Sequence, residues 1–234
     1  MRCLNDKDTA LGLFWYNKIM KIRKFLIAEG NATALVFDCP DSERINTSKN
    51  LLKSVEQVGF IEDTEPPELT MMGGELCING TIALASTLQK AGQLKTSGLQ
   101  QVIDYENNGA VTTLNLTIPY KLEGDEVLFN GIGYIVSQDL IEKIPTKKEL
   151  LLKCQSHNLP AYGYIQLRDN KITPYIYVQS VDSLVEETAC GSGSIAASIA
   201  SGISEIIQPT GKSIIVKLDN DNRATISAVV QEIS

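Results

Sequence analysis

The chain contains one short pattern twice, as CINGTIA at residues 77–83 and as CGSGSIA at residues 190–196. In each copy a cysteine is followed three residues later by glycine, then by threonine or serine, then by Ile-Ala at the start of an apolar run. This order predicts a helix that begins just after each cysteine. Because the copies lie in different halves of a 234-residue chain, we expect the cysteines to face each other across one site.

Composition limits the classes of partner. The chain has 21 Lys and Arg against 28 Asp and Glu, a net charge of −7, and no basic stripe, which argues against a nucleic-acid partner. No apolar run reaches 18 residues, so we expect no membrane span. Residues 1–19 make a poor signal peptide, because acidic residues precede their apolar stretch and no small-residue cleavage site follows. The sequence therefore predicts a cytoplasmic protein with an N-terminal extension.

Cysteine usage argues against a metal site. The five cysteines are odd in number and form no CxxC pair, and the chain has one histidine, His157, so a zinc site is not expected. Cys39 and Cys154 are expected to be small buried residues, and Cys3 lies in the terminal extension. Only Cys77 and Cys190 lie in the repeated motif, which makes them the candidate functional cysteines.

The order of elements predicts an α+β protein of two similar halves. We expect a first hairpin from strands near 21–28 and 33–38, and a helix from Cys77 to about Lys90 closed by Gly92. Helices are expected at about 138–155, and the second cysteine helix at 190–206. Each half is expected to be a barrel-like sheet around one central helix, which makes the domains pseudo-symmetric. The predicted divisions are an extension at 1–19, an N-terminal half at 20–115, a C-terminal half at 116–222, and a final strand at 223–234 whose return to the N-terminal half is left open.

A cysteine at a helix start suggests a particular chemistry. Free backbone N–H groups and the helix dipole hold an anion such as a carboxylate there. The same field favours a thiolate and lowers a cysteine pKa from about 8.5 to about 3.5–7.5. Two such starts on opposite sides of one carbon suit removal of a Cα proton on one face and its return on the other. The alternative interpretation is a packed repeat whose cysteines are only small residues.

These residues resemble the diaminopimelate-epimerase fold family of cofactor-independent racemases and epimerases. The resemblance covers residues from about 20 to 234 and rests on EGN at 29–31, MGGELCING at 72–80 and EETACGSG at 186–193. It implies two domains with the site between them, no pyridoxal phosphate or other cofactor, no metal, and Cys77 and Cys190 as the acid and base. The residues expected to contact substrate are Asn31, Ile78, Asn79, Gly80, Glu186, Gly191 and Ser192.

The chain departs from the family pattern in three places. Ile78 stands where the family's first motif has glycine, and GIGY at 131–134 replaces Gly-Asn-Pro-His. Residues 172–189 contain no lysine or arginine, so the distal carboxylate of diaminopimelate has no obvious cation there.

Other stretches are similar to histidine racemases of the opine-metallophore type, namely EQVGFIE at 56–62 and YIYV at 175–178. Tyr134, Tyr175, Tyr177, Asp182 and Glu186 are candidates to meet an imidazole. The sequence therefore favours a racemase of amino acids, with histidine as substrate. The alternatives left open are a diaminopimelate epimerase, a PhzF-like isomerase and a non-catalytic amino-acid-binding protein, and the oligomeric state is open to a homodimer.

Overall fold

The computed structural model describes residues 20–138, 143–219 and 221–234. Over these residues the chain is α+β, with strands greatly outnumbering helices, so the predicted class is confirmed. The predicted extension at 1–19 lies outside the described residues. None of the described helices is long and apolar enough to cross a membrane.

The elements follow one another in a strand-rich order. The helices are α1 (Asp41–Leu51), α2 (Ile78–Ser86), α3 (Lys147–His157) and α4 (Gly191–Ser201). The first eight strands are β1 (Lys21–Ile27), β2 (Gly30–Phe37), β3 (Gln57–Glu62), β4 (Glu68–Met71), β5 (Ala91–Thr96), β6 (Ile103–Asn108), β7 (Val111–Thr117) and β8 (Tyr120–Glu123). The others are β9 (Glu126–Phe129), β10 (Ile132–Ser137), β11 (Ala161–Arg168), β12 (Lys171–Val178), β13 (Ser183–Glu186), β14 (Glu205–Ile207), β15 (Ser213–Leu218) and β16 (Arg223–Ile233).

Eight strands form a closed barrel around α2. Strands β1 to β7 pair in sequence order, β7 pairs with β16, and β16 pairs back with β1. Every residue from Ile78 to Ala85 is buried. Most side chains of α2 are apolar, which places the helix inside a core, and the polar Asn79 and Thr81 are hydrogen-bonded there. Closure of the barrel thus fixes the first cysteine, which lies directly before α2.

The remaining strands form a second, open sheet around α4. From β16 the pairing continues through β15, β14, β12, β11, β10 and β9 to β8. Residues 191–198 of α4 are buried, and the helix contacts β9 to β12, β14 to β16 and α2. Strand β16 belongs to both sheets. The division into two pseudo-symmetric domains stays a prediction, and its boundary at 115 and 116 falls within β7.

Three helix boundaries differ from the predictions. Helix α2 ends at Ser86 instead of near Lys90, since the Ser86 and Thr87 hydroxyls donate to carbonyls of the last turn, and Gly92 lies in β5. The helices predicted at about 138–155 lie partly outside the described residues, at 139–142, and α3 begins at Lys147, where Thr146 and Glu149 form a capping box. Helix α4 ends at Ser201 instead of at 206, because Gly202 adopts the left-handed conformation of a C-cap.

Candidate active site

Each of the two cysteines caps the helix that follows it. Cys77 has extended backbone, and its Sγ accepts a hydrogen bond from the Gly80 N–H at 3.2 Å. Cys190 has the same conformation and accepts from the Gly193 N–H at 3.3 Å. The predicted pair of matching helix starts is therefore confirmed, and both sulfurs lie in the positive field of a helix N-terminus.

Asn79 ties the two helix starts together. Its Nδ2 donates to the Ala189 carbonyl at 2.9 Å, and its Oδ1 accepts from the Gly191 N–H at 2.9 Å. Ile78 lies beside this link, since a Cβ added to Gly191 would meet Ile78 Cγ2 at 2.7 Å. The isoleucine that departs from the family pattern is thus accommodated because the residue facing it is glycine.

The two cysteines line one narrow cleft between α2 and α4. The cavity has a volume of about 20 Å³, which is room for about one water molecule, so an amino acid enters only if the cleft opens. Three carboxyl groups line it, those of Glu56, Glu75 and Glu187, and no lysine, arginine or histidine of the described residues does. Its apolar lining is Met72, Leu76, Ile132, Ile176, Val178 and Val185.

Burial controls the thiols in this closed cleft. It raises the pKa of Cys77 well above the ordinary value, and the N–H of Gly80 offsets this only in part. Burial, followed by the nearby carboxyl of Glu187, does the same to the pKa of Cys190. The sequence-based expectation of a lowered cysteine pKa is therefore wrong for this closed form, because desolvation and neighbouring carboxylates outweigh the helix field.

The same burial keeps two carboxyl groups from ionising easily. Burial raises the pKa of Glu187 to about 8 and that of Glu75 to about 7. Glu75 Oε2 accepts from the Gly73 N–H at 2.8 Å. Glu187 accepts a short hydrogen bond from Gln57 Nε2, while Gln57 Oε1 accepts from the Cys77 thiol at 2.8 Å. A cation in the cleft would favour the ionised form of both carboxyls and both thiols.

Only one of the predicted substrate-contacting residues, Ser192, lies in the cleft lining. Ser192 lines the cleft, and its hydroxyl is 2.7 Å from the Tyr134 hydroxyl. The N–H groups of Gly80 and Gly191 already donate to Cys77 Sγ and Asn79 Oδ1, so a substrate carboxylate would compete for them.

The other six predicted contacts lie outside the cleft lining, namely Asn31, Ile78, Asn79, Gly80, Glu186 and Gly191. Asn31 is buried at the start of β2, where its N–H donates to Thr188 Oγ1 at 2.5 Å and its Nδ2 to Glu56 at 3.4 Å. Glu186 is exposed at the end of β13, and the cleft is lined instead by the next residue, Glu187.

Of the aromatic candidates, only Tyr134 reaches the cleft. Tyr177 is buried beside α3, and its hydroxyl donates to Asp182 at 3.1 Å. The sequence-based predictions did not include Glu56, Gln57, Glu75 and Glu187, which line the cleft. The one signal for Gln57 was the similarity of residues 56–62 to histidine racemases, and Glu75 and Glu187 lie inside the two quoted cysteine motifs.

Known proteins with similar sequences are racemases. Two histidine racemases from strains of Fusobacterium nucleatum are 30% and 28% identical over 203 residues, which cover 71% of this chain and 75% and 76% of theirs. A histidine racemase from Staphylococcus aureus is 25% identical over 204 residues, covering 70% of this chain and 73% of its own. The chain belongs to the diaminopimelate-epimerase-like racemase family. It is an isomerase of the racemase and epimerase class. No family model matches it.

Solved structures share the fold of this racemase. A "Predicted Epimerase" from Pseudomonas aeruginosa superposes with a TM-score of 0.65 at 10% identity, covering 92% of this chain and 98% of the other. A putative phenazine biosynthesis PhzC/PhzF protein from Clostridium difficile gives a TM-score of 0.57 at 12% identity with the same coverage. At these identities the likeness concerns the fold alone.

Proposed function

We propose that this racemase interconverts the enantiomers of an amino acid by a two-base mechanism at Cys77 and Cys190, without pyridoxal phosphate, and that histidine is its favoured substrate. The observation that carries the mechanism is the pair of helix-capping cysteines lining one cleft. A thiolate on one face of Cα takes its proton, and the thiol on the other face returns one.

The helix starts supply the electrostatic part of the mechanism. Removal of the Cα proton moves negative charge onto the substrate carboxylate. Two helix N-termini directed at that group stabilise the charge as it develops. The narrow, mostly apolar cleft excludes water, which strengthens each of these interactions.

The charge of the cleft supports a substrate with a cationic or proton-binding side chain. Glu56, Glu75 and Glu187 line it, and the described lining residues include no basic side chain to balance them. The α-ammonium and the imidazole of histidine can each meet a carboxylate there. The relatives of 25–30% identity are histidine racemases. A distal carboxylate, as in diaminopimelate, would meet like charge.

A panel of L-amino acids scored by chiral chromatography tests this proposal. We expect L-histidine to be racemised without added cofactor, and glutamate and meso-diaminopimelate to be inert. Cys77→Ser and Cys190→Ser should each lose at least 100-fold in rate, the lower range for general acid–base catalysis. Cys39→Ser is the matched control, because Cys39 is a free, half-buried cysteine outside the cleft. Full activity in both cleft variants would refute the mechanism, and turnover of diaminopimelate alone would refute the substrate.

A further inference from the structure

Glu187 is a buried carboxyl group in which only one of the two oxygens is hydrogen-bonded to the described residues. It lies between β13 and α4 and is 3% exposed. One oxygen accepts from Gln57, whereas Oε2 has no hydrogen-bond partner among the described residues. A buried polar atom without a partner lowers the stability of the fold. Because this atom lies in a cleft with two thiols, we infer that it forms a hydrogen bond in another state of the cleft.

Gln57 joins Glu187 to the first cysteine. Its Nε2 donates to Glu187, and its Oε1 accepts from Cys77 Sγ at 2.8 Å. A side-chain amide has an NH₂ donor and a carbonyl acceptor. When the Nε2 of Gln57 donates to an ionised Glu187, its Oε1 therefore faces Cys77. That oxygen needs a proton on the sulfur, so the arrangement holds Cys77 as a thiol.

Glu187 shares the lining of the cleft with the second cysteine. Burial raises the pKa of both groups; the Glu187 carboxyl raises that of Cys190 further, whereas Cys190 offsets part of the rise for Glu187. Cys77, Gln57, Glu187 and Cys190 thus form a path of polar groups along the cleft, in which hydrogen bonds join the first three. The titratable groups that face Glu187 are Cys77, Cys190, Tyr134, Glu56 and Glu75.

Building on the two-cysteine function above, we propose that Glu187 holds the proton of Cys190 while that sulfur is a thiolate, and that Gln57 positions Cys77 as the acid. In this step the Cys190 S–H bond breaks and the Glu187 O–H bond forms. The new hydroxyl on Oε2 donates to the thiolate, which gives the unpartnered oxygen its partner. Neither redox change nor a co-reactant is involved.

The path also allows the roles to reverse. After turnover Cys190 carries the proton from Cα and Cys77 is the thiolate, while Glu187 keeps its proton. A 180° turn of the Gln57 amide then lets Nε2 donate to the Cys77 thiolate and Oε1 accept from Glu187. The number of protons on the three groups and the substrate is unchanged. Glu187 and Gln57 act through the sulfurs and are positioning residues.

The pH dependence of thiol alkylation tests the proposal without relying on turnover. Iodoacetamide labelling of Cys190 is followed by peptide mass spectrometry from pH 5 to pH 11. Two interacting groups titrate in two shared steps, so native protein should show a two-step profile, and Glu187→Gln should show one step. Glu187→Asp, which keeps the carboxyl, should restore two steps. Glu75 is present in every variant, so its titration affects all profiles alike.

Identical one-step profiles in native protein and Glu187→Gln would overturn the proposal. Glu106→Gln is the matched control, because Glu106 is exposed on β6, and its profile should equal the native one. Gln57→Leu provides a second arm, independent of whether Glu187→Gln folds. Gln57→Leu should keep the two-step labelling profile of Cys190. It should also move the labelling profile of Cys77 to lower pH, because the hydrogen bond from the Cys77 thiol to Gln57 Oε1 is lost. An unmoved Cys77 profile would also overturn the proposal.

Activity distinguishes this proposal from the one on which it rests. We expect Glu187→Gln to lower kcat at least tenfold with little change in KM, since Glu187 acts through Cys190. If both cysteine variants racemise at the native rate, the two-cysteine function fails whatever the labelling shows. If they are inactive and the labelling profiles of Glu187→Gln are native, only the role of Glu187 fails.

Discussion

Replacing Glu187 by glutamine should change how the stability of the protein depends on pH. Burial raises the pKa of Glu187 from its ordinary value of 4.5 to about 8 in the folded protein. The folded state therefore binds this proton over a pH range in which the unfolded chain has released it. Stability from this group is complete below pH 4.5 and is lost progressively as the pH rises to about 8. Glutamine cannot ionise, so Glu187→Gln lacks this loss.

The size of the effect follows from the two pKa values. Each pKa unit corresponds to about 1.36 kcal/mol, so the folded state is penalised by about 1 kcal/mol at pH 5 and about 4 kcal/mol at pH 8. Relative to native protein, Glu187→Gln should therefore gain about 3 kcal/mol of unfolding free energy between these pH values. With an m-value of about 3 kcal/mol/M, the gap between the two urea midpoints should widen by about 1 M.

Urea unfolding followed by circular dichroism, at pH 5 and at pH 8, measures this gap. Glu75 also has a raised pKa, to about 7, but it is common to both proteins and cancels in the difference. Glu106→Gln on the exposed face of β6 is the control and should give a gap that does not depend on pH. A constant gap for Glu187→Gln as well would show that the carboxyl is ionised in the folded protein at both pH values, and the reasoning from burial would be wrong.

Other substitutions test the surroundings of the cysteines by urea unfolding and thiol labelling. Gly191→Ala should cost about 1–3 kcal/mol by overpacking, and in the background of Ile78→Gly that cost should largely vanish; additive losses would contradict the contact between them. Gln208→Leu should cost about 1–3 kcal/mol, because it leaves the buried N–H of Cys190 without its acceptor, and a native midpoint would refute this. Tyr134→Phe should move the labelling profile of Cys190 to higher pH, since the hydroxyl 3.8 Å from Sγ favours the thiolate; an unmoved profile would count against that contact.

The sequence predicted the parts of the fold that depend on local chemistry. The first hairpin, β1 with β2, is as expected, and its turn consists of Ala28 and Glu29, both with positive φ, between two apolar runs. Helices α2 and α4 begin directly after Cys77 and Cys190, because glycine and small residues there allow the turn into a buried helix. Helix ends were less predictable, since α2 ends where hydroxyl side chains compete for its carbonyls, with no glycine to mark the place.

The candidate site was only partly predictable for the same reason. Cys77, Asn79 and Cys190 lie in the two copies of the repeated motif, which can be recognised from the sequence. Gln57 is the first residue of β3, and it meets Glu187, 130 residues later in the chain, only through the tertiary fold. In a carboxylate pair such as Glu186 and Glu187, one residue faces the cleft and the other faces solvent, and the register that decides this comes from pairing with β12.

The fate of the Cα proton tests the two-cysteine mechanism most directly. L-Histidine is incubated in deuterium oxide without cofactor, and both enantiomers are isolated at low conversion for mass spectrometry. Two bases on opposite faces predict that the D-histidine formed carries one solvent deuterium at Cα, while the remaining L-histidine stays unlabelled. Product that retains the original proton, or substrate that takes up deuterium as fast as product forms, would mean that a single base handles both faces and would contradict the account.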